Sequence, residues 1–264
     1  MPLNWLCVDD YEVMSEIAAG RIVVALEARL RQGRSALLGL ATGNTMLRMY
    51  ELLAAMLNER RFNLSQLHTF NLDEYVGADG RWVPADHPLS YHAYMDQNFF
   101  ARLDPQLGMK REHIHFPDPV RPGEVDDMIR RMGGIDLQLL GIGFNGHIAF
   151  NEPMSEAEIG VEDFAALPTR LIDLTDLTIE TNSRLTAGGD RTKVPRQAVT
   201  LGMKPILAAR RLLLLACFPE QKEPLSRIRG GRPTPELPAS YLLGHPDSTI
   251  IFTRDTIRLK WPER

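Results

Sequence analysis

The chain has 264 residues, of which 44% are hydrophobic and 24% charged, and its formal net charge is -4 at pH 7. This length and apolar content favour a substantial core, and the negative charge argues against nucleic acid as a partner. The sequence has no uncharged apolar run of about 18 residues, so we expect no membrane partner, no secretory signal and a cytoplasmic protein. No linker or repeat divides the chain, which favours a single domain over 1–264.

The two cysteines, Cys7 and Cys217, both lie in apolar runs that predict buried strands. Their separation along the chain does not match the spacing of metal ligands. We therefore expect two buried thiols that behave as small apolar side chains in a reducing compartment, and no metal site.

Apolar runs of strand length alternate with segments of helical spacing along the chain. Strands are predicted at 3–8, 35–41, 68–72, 135–140, 169–174, 194–201, 212–218 and 248–253. Helices are predicted at 11–32, 46–58, 91–103, 125–132, 176–185, 221–229 and 239–243, and around Pro205. This alternation predicts an α/β fold with an open, mainly parallel twisted sheet and helices on both faces, a three-layer arrangement of modified Rossmann-like type. The polar, mixed composition after Pro153 predicts a lid at about 155–185.

A turn of small polar residues follows the second predicted strand. It consists of Thr42, Gly43, Asn44 and Thr45, and a predicted helix begins directly after it. Backbone amides converge at a helix N-terminus and favour an anion, so a phosphate site is one interpretation. The alternative is that Thr45 only caps the helix. Neither glycine-rich nucleotide motif is present in this turn, so no nucleotide is implied.

Two adjacent acids, Asp73 and Glu74, follow the strand predicted at 68–72. Side chains alternate in direction along an extended chain, so at most one of the two can point into a crevice at the strand end. That one is a candidate base, and the alternative is a solvated strand end. The loop at 77–90 is long and rich in turn-forming residues, as binding loops often are.

The segment 141–153, GIGFNGHIAFNEP, directly follows the strand predicted at 135–140. Ligands of open α/β sheets bind outside the carboxyl ends of the strands, which is where this segment places His147. Glu152 follows five residues later, and a carboxylate that reaches an imidazole orients it for acid or base chemistry. The alternative, a structural histidine in a plain loop, would not require so many polar and glycine residues together.

Several stretches, spread over nearly the whole chain, resemble the glucosamine-6-phosphate deaminase family, within the group that also contains the 6-phosphogluconolactonases. They are LATGNT at 40–45, FNLDEYVG at 70–77, DHPLSYHAYM at 86–95, GIGFNGHIAFNEP at 141–153, NSR at 182–184, VPRQAVTLGM at 194–203 and HPD at 245–247. The ending HIAFNEP resembles the amino-sugar branch rather than the lactonases. The resemblance implies conversion of an amino-sugar 6-phosphate and water to fructose 6-phosphate and ammonia, without a redox cofactor or metal.

The resemblance also implies a role for individual residues. His147 is expected to open the sugar ring, and Asp73 to move a proton between C1 and C2, while Glu152 holds His147. The expected phosphate-binding residues are Thr42, Gly43, Asn44, Thr45, Arg184 and Lys222. Further substrate-binding candidates are Glu74, Tyr91 and Gly146.

One catalytic candidate departs from the family pattern, because Asn145 stands where the deaminases usually carry an aspartate. An amide adds no negative charge, so protonated His147 loses one of two anionic supports. An asparagine at this position resembles the pattern of proteins grouped as galactosamine-6-phosphate isomerases. The configuration of the substrate at C4 is therefore left open. Two further candidate functions are lactone hydrolysis and sugar-phosphate sensing without turnover. The expected partner is a small amino-sugar phosphate, and a homo-oligomer is compatible with the hexameric members of the family.

Overall fold

The computed structural model describes residues 3–259 and contains ten strands and eight α-helices within that range. The strands are β1 (Asn4–Val8), β2 (Ala36–Leu40), β3 (Leu67–Asn71), β4 (Asp73–Val76), β5 (Ile114–His115), β6 (Leu137–Leu140), β7 (Arg170–Asp173), β8 (Gln197–Thr200), β9 (Leu212–Ala216) and β10 (Ser248–Thr253). The helices are α1 (Tyr11–Leu30), α2 (Leu47–Arg60), α3 (Tyr91–Asn98), α4 (Gly123–Arg131), α5 (Val161–Ala165), α6 (Asp176–Thr186), α7 (Met203–Leu207) and α8 (Lys222–Gly230). The ends of the predicted 1–264 domain lie outside the described residues.

Seven strands form an open parallel sheet in the order β1-β10-β9-β6-β2-β3-β5. Every residue of β2, β6, β9 and β10 is buried, as expected when helices cover both faces of a parallel sheet. The chain leaves β2 toward β3 and later returns to β6 on the other side. The strand order therefore reverses between β2 and β6, and a crevice opens at such a point outside the carboxyl ends.

The predicted α/β fold with its mainly parallel sheet is confirmed, but the predicted parallel arrangement of 169–174 and 194–201 is wrong. These segments form β7 and β8, which pair antiparallel with each other. The strand β4, which we did not predict, pairs antiparallel with β8 and completes a second sheet in the order β4-β8-β7. The helix predicted at 239–243 is a 3-10 helix over Pro238–Gly244. No described helix is both long and apolar enough to span a membrane.

The shortest connection between the two sheets is a single residue, Leu72, which lies between the end of β3 and the start of β4. Its amide donates to the carbonyl of Leu40 at the end of β2, over 3.1 Å. Its own carbonyl accepts from the amide of Leu201, which follows β8, over 2.7 Å. Both sheets thus hold the backbone immediately before Asp73, so the direction of that side chain is fixed.

The two cysteines differ in exposure. Cys217 is buried directly after β9, as predicted, and burial raises the pKa of its thiol to about 11. The prediction for Cys7 is wrong, because its side chain is exposed. The reason is that β1 is an edge strand in which Val8 is the one buried residue.

Three histidines stack at the opposite edge of the sheet, around β5. The rings of His68 and His113 lie 3.7 Å apart between centroids, and the Nδ1 of His68 lies 3.2 Å from the Nε2 of His115. His115 also stacks on Phe70. Burial, followed by the charges of His68 and His113, lowers the pKa of His115 to about 4. The stack therefore favours neutral imidazoles.

We expect this histidine stack to make the fold sensitive to mild acid. Between pH 6.5 and 4 the unfolded chain binds a proton that folded His115 resists, so the free energy of unfolding falls as the pH drops. Because the ring is partly exposed, we expect a contribution of only about 1 kcal/mol, or roughly 2–4 °C in Tm. His115→Phe should therefore gain Tm relative to wild type at pH 5 but not at pH 8. An equal Tm difference at the two pH values would contradict this.

Candidate active site

A cavity of about 370 Å³ lies in the crevice where the strand order reverses. Its walls come from the segments that follow β2, β3, β6 and β9, together with residues of α3 and α6. The predicted site residues that line it are Thr42, Gly43, Asn44, Thr45, Asp73, Tyr91 and His147. The fold thus brings segments more than 100 residues apart to one cavity.

The turn from Thr42 to Thr45 forms one end of the cavity. Gly43 has a φ of +114°, a conformation that favours glycine, and its carbonyl accepts from the hydroxyl of Tyr94 over 2.7 Å. Thr45 is buried, and its side chain makes no capping hydrogen bond to the helix that follows. The capping interpretation of Thr45 is therefore wrong, and the phosphate site at this turn stays a prediction.

Asp73 and Glu74 point in opposite directions, as strand alternation predicts. Asp73 lines the cavity, and burial raises its pKa to about 8, with the charge of Glu74 adding to the effect. Such a carboxyl ionises close to neutral pH, as a general base requires.

The structure places Glu74 outside the residues that line the cavity, contrary to the expectation that it contacts substrate. Its fully buried carboxylate accepts from the amides of Tyr91 and His92, over 3.0 and 2.8 Å, and lies 2.6 Å from the Nδ1 of His92. Glu74 thus anchors the first turn of α3, which carries Tyr91 at the cavity wall.

Two glycines shape the turn that presents the imidazole of His147. A Cβ on Gly143 would lie 2.2 Å from the ring of His147, so only glycine fits beside it. Gly146 has a φ of +88°, and a Cβ there would lie 2.2 Å from Leu237. Gly146 does not line the cavity, so its contribution is to the turn that presents His147 rather than to a contact with substrate.

Glu152 lies behind His147, away from the cavity. Its Oε1 is 3.6 Å from the Nδ1 of His147, which is close enough for an ion pair but too long for a hydrogen bond. Burial raises the pKa of Glu152, but the neighbouring His147, Thr178 and Asn145 outweigh that effect and hold it at about 2. Glu152 is therefore a carboxylate at neutral pH.

Asn145 connects Glu152 to the backbone of His147. Its Nδ2 donates to the Oε2 of Glu152 over 2.8 Å, and its Oδ1 accepts from the amide of His147 over 3.2 Å. An aspartate at this position could not donate to Glu152 and would repel it. The amide is thus used in this chain as a donor, and it does not line the cavity.

Asn151, to which we assigned no role from the sequence, holds this loop against the second sheet. Its buried Nδ2 donates to the carbonyl of Leu201 over 2.9 Å, and its Oδ1 accepts from Arg170 over 2.8 Å. Next to it, the amide of Phe150 donates to the hydroxyl of Thr200. These bonds depend on the pairing of β4, β7 and β8, which the sequence did not indicate.

The two predicted phosphate-binding cations, Arg184 and Lys222, do not line the cavity. Both side chains are exposed. They closely follow lining positions, since Asn182 of α6 and Gln221 before α8 are part of the wall. Within residues 3–259 no lysine or arginine contributes to the lining.

Sequence reasoning missed an acid at the cavity, Glu220, which is exposed and lines the wall beside Gln221. It also missed Tyr75, Phe150 and Thr178. Tyr75 could have been predicted from strand alternation, which turns its side chain to the same side as that of Asp73. Within residues 3–259 no cluster of three histidine, cysteine or acidic side chains is arranged to hold a metal ion.

We expect Glu220→Gln to lower KM for a substrate that carries a phosphate. A carboxylate near a phosphate repels it, and removing about 1 kcal/mol of repulsion corresponds to a roughly fivefold change. The control is Glu223→Gln, further along in α8, where the side chain faces Arg227 at 3.8 Å and does not line the cavity. A higher KM for Glu220→Gln would show instead that this carboxylate binds the sugar.

The comparison with known proteins agrees with this geometry. The model of a family described as glucosamine-6-phosphate isomerases/6-phosphogluconolactonase matches residues 9–251. The chain belongs to this family. Among its relatives, a protein named glucosamine-6-phosphate deaminase from Rhodopirellula baltica is 40% identical over 251 residues, which cover 93% of this chain and 91% of the relative.

Two further members of the family extend the comparison. A glucosamine-6-phosphate deaminase from Halothermothrix orenii is 39% identical over 258 residues, covering 95% of this chain and 97% of the relative. The solved structure of a monomeric glucosamine-6-phosphate deaminase superimposes with a TM-score of 0.81 at 30% identity and covers 96% of this chain and 98% of that one. The likeness to the glucosamine-6-phosphate isomerase family thus extends over nearly the whole chain.

Proposed function

We propose that this chain is an enzyme that converts glucosamine 6-phosphate and water to fructose 6-phosphate and ammonia. The observation that supports this most directly is the shared cavity, which Asp73, His147 and the turn from Thr42 to Thr45 all line. Isomerisation of an amino sugar requires a carboxylate base and a group that opens the ring, and a phosphate at the far end requires an anion site. The relatives named above are deaminases of this kind.

In the first step the imidazole of His147 moves a proton from O1 to the ring oxygen O5, which breaks the C1–O5 bond and gives the open-chain aldehyde. An imidazole suits this task because its ordinary pKa lies near neutrality. The ionised Glu152 behind His147 orients the ring, and Asn145 holds Glu152 from its other oxygen.

In the second step Asp73 takes the proton from C2, which forms an enolamine, and returns a proton to C1. The electron pair of the broken C2–H bond forms a C1=C2 double bond, and the pair of the C1=O bond moves to O1, which takes a proton released by the 2-ammonium group of the substrate. When Asp73 gives its proton to C1, the lone pair on nitrogen forms the C2=N bond, so that C1 is an alcohol carbon and C2 an iminium carbon. Water then adds to C2 and ammonia leaves, which yields the ketose. These proton transfers and the hydrolysis need no redox cofactor, and we propose none.

The 6-phosphate binds at the turn from Thr42 to Thr45, with Arg184 and Lys222 as charged partners that reach it from beside the cavity. Part of the segment 155–185 is anchored, because β7 pairs with β8 and the fully buried Phe164 of α5 packs in the main core. We propose that any cover over the substrate involves α6, which carries Arg184. We also place the enzyme in the cytoplasm, as a single domain that acts on a small molecule.

The position of Asn145 bears on the choice between glucose-series and galactose-series substrates. Its side chain faces Glu152 and not the cavity, so it has no contact through which to recognise the configuration at C4. The asparagine therefore gives no reason to prefer the galactose series, and glucosamine 6-phosphate stays our first choice. Lactone hydrolysis does not require a base that moves a proton between C1 and C2, so it would not explain the buried Asp73 in the cavity.

The test is a coupled assay that measures ammonia and ketose from glucosamine 6-phosphate and galactosamine 6-phosphate, in parallel with hydrolysis of 6-phosphogluconolactone. We expect ammonia and fructose 6-phosphate from the glucose epimer, without added cofactor, and little or no lactone hydrolysis. Faster turnover of the galactose epimer or of the lactone would overturn the substrate assignment. Binding of the amino-sugar phosphate without any ammonia would identify a sensor instead.

A further inference from the structure

A threonine on α6 contacts the carboxylate that supports His147. The hydroxyl of Thr178 donates to the Oε1 of Glu152 over 2.5 Å. The same Oε1 faces the Nδ1 of His147 at 3.6 Å, while Asn145 occupies Oε2. The carboxylate is thus held from both oxygens, and the oxygen nearest the imidazole already has a hydrogen bond.

The Nδ1 of His147 is buried and has no hydrogen-bond partner within residues 3–259. A buried polar atom without a partner is costly, so Nδ1 needs one during the reaction. A carboxylate oxygen can accept two hydrogen bonds, and the Oε1 of Glu152 lies close to Nδ1. A shift of roughly 0.7 Å would bring the pair to hydrogen-bond distance without displacing Thr178.

The orientation of the Thr178 hydroxyl is itself fixed by the start of α6. Thr175 caps this helix, since its Oγ1 accepts from the amide of Thr178 over 3.2 Å. The Thr175 hydroxyl in turn donates to the Oγ1 of Thr178 over 3.1 Å. With a lone pair of Oγ1 used in this way, the proton of the buried Thr178 is directed at Glu152.

We propose that Thr178 is a positioning residue for the acid/base pair, a role that rests on the proposed function. It acts through Glu152, whose carboxylate it holds so that Oε1 stays within reach of the Nδ1 of His147. Because Thr178 belongs to α6, the placement of that helix sets the orientation of the ring-opening group. The helix that carries Arg184 toward the phosphate thereby also controls the chemistry at the other end of the sugar.

The test compares Thr178→Val, which keeps the side-chain shape but loses the hydroxyl, with Thr178→Ser, which keeps the hydroxyl. We expect the valine variant to lose about tenfold in kcat with KM for glucosamine 6-phosphate nearly unchanged, as is common when a supporting hydrogen bond to an active-site group is lost. The serine variant should recover most of the rate. A valine variant with wild-type kcat, or a serine variant as slow as the valine one, would overturn the proposal.

A second measurement needs no turnover. The ring-nitrogen resonances of His147, assigned in 15N NMR spectra by their loss in His147→Gln, should move in Thr178→Val and stay in place in Thr178→Ser. Unchanged resonances in the valine variant would refute the role of Thr178 even if the wild type released no ammonia, a result that would refute the proposed function alone. Thr178→Ala, which also lacks the hydroxyl, takes the place of the valine variant if that variant does not fold.

Discussion

Asp73→Asn is expected to reduce ammonia release from glucosamine 6-phosphate by about 1,000-fold, with KM changed little. An amide cannot take the C2 proton, and positioned general bases contribute roughly 100- to 10,000-fold. In the wild type, kcat/KM should rise with pH as Asp73 ionises, since its pKa is raised to about 8 by burial and by Glu74. This rising limb should be absent from the residual activity of the variant.

The matched control is Asp79→Asn, which changes an exposed carboxylate six positions further along the chain. Asp79 accepts from the amide of Arg81 and does not line the cavity, so its variant should behave as the wild type. A full rate in Asp73→Asn would remove the base from the mechanism. Retained lactone hydrolysis combined with no ammonia release in the wild type would favour the lactonase function.

The same substitution, Asp73→Asn, should stabilise the protein. The folded state binds a proton on Asp73 up to about pH 8, whereas the ordinary value is 3.8, so the free energy of unfolding falls as the pH rises through this window. Asparagine does not ionise, so folding no longer has to take up a proton at this position, and we expect a gain of about 1–3 kcal/mol at neutral pH. Thermal unfolding at pH 4 and pH 7 should show the gain only at the higher pH. A variant that is less stable at pH 7 would contradict this.

His147→Gln is expected to cost about 100-fold in kcat, less than the loss at Asp73. Sugar rings also open in water without a catalyst, so the variant can use open-chain substrate, whereas proton transfer at C2 has no comparable uncatalysed route. In D2O the ketose made by this variant should carry the wild-type content of deuterium at C1, because Asp73 still moves that proton. An altered content, or a loss larger than that of Asp73→Asn, would place His147 in the isomerisation step.

The sequence predicted the main sheet well because its strands are short apolar runs bounded by turns. The predicted strand at 35–41 is β2 (Ala36–Leu40), and the one at 248–253 is β10 (Ser248–Thr253). The sequence did not predict strand β4 because its first two residues are charged. They are buried there because Asp73 faces the cavity and Glu74 accepts from the first two amides of α3, and both reasons depend on distant parts of the chain.

For the candidate site, local rules were sufficient where the backbone alone sets the geometry. Strand alternation separated Asp73 from Glu74, and the position after β6 delivered His147 to the crevice. The donor role of Asn145 and the hydroxyl of Thr178 could not be predicted, since each depends on where Glu152 lies in space. Spacing along the chain does not contain that information.

The single-residue junction at Leu72 has a bearing on how this scaffold can change over time. Deleting one residue there would turn the longer side chain of Glu74 into the crevice and leave α3 without its anchor, whereas inserting one would present the base to α3. The site can tolerate single substitutions at the junction, but it cannot tolerate a change in the junction's length. New specificities on this scaffold are therefore more readily gained by remodelling the loop at 77–90, whose length does not determine which acid reaches the sugar.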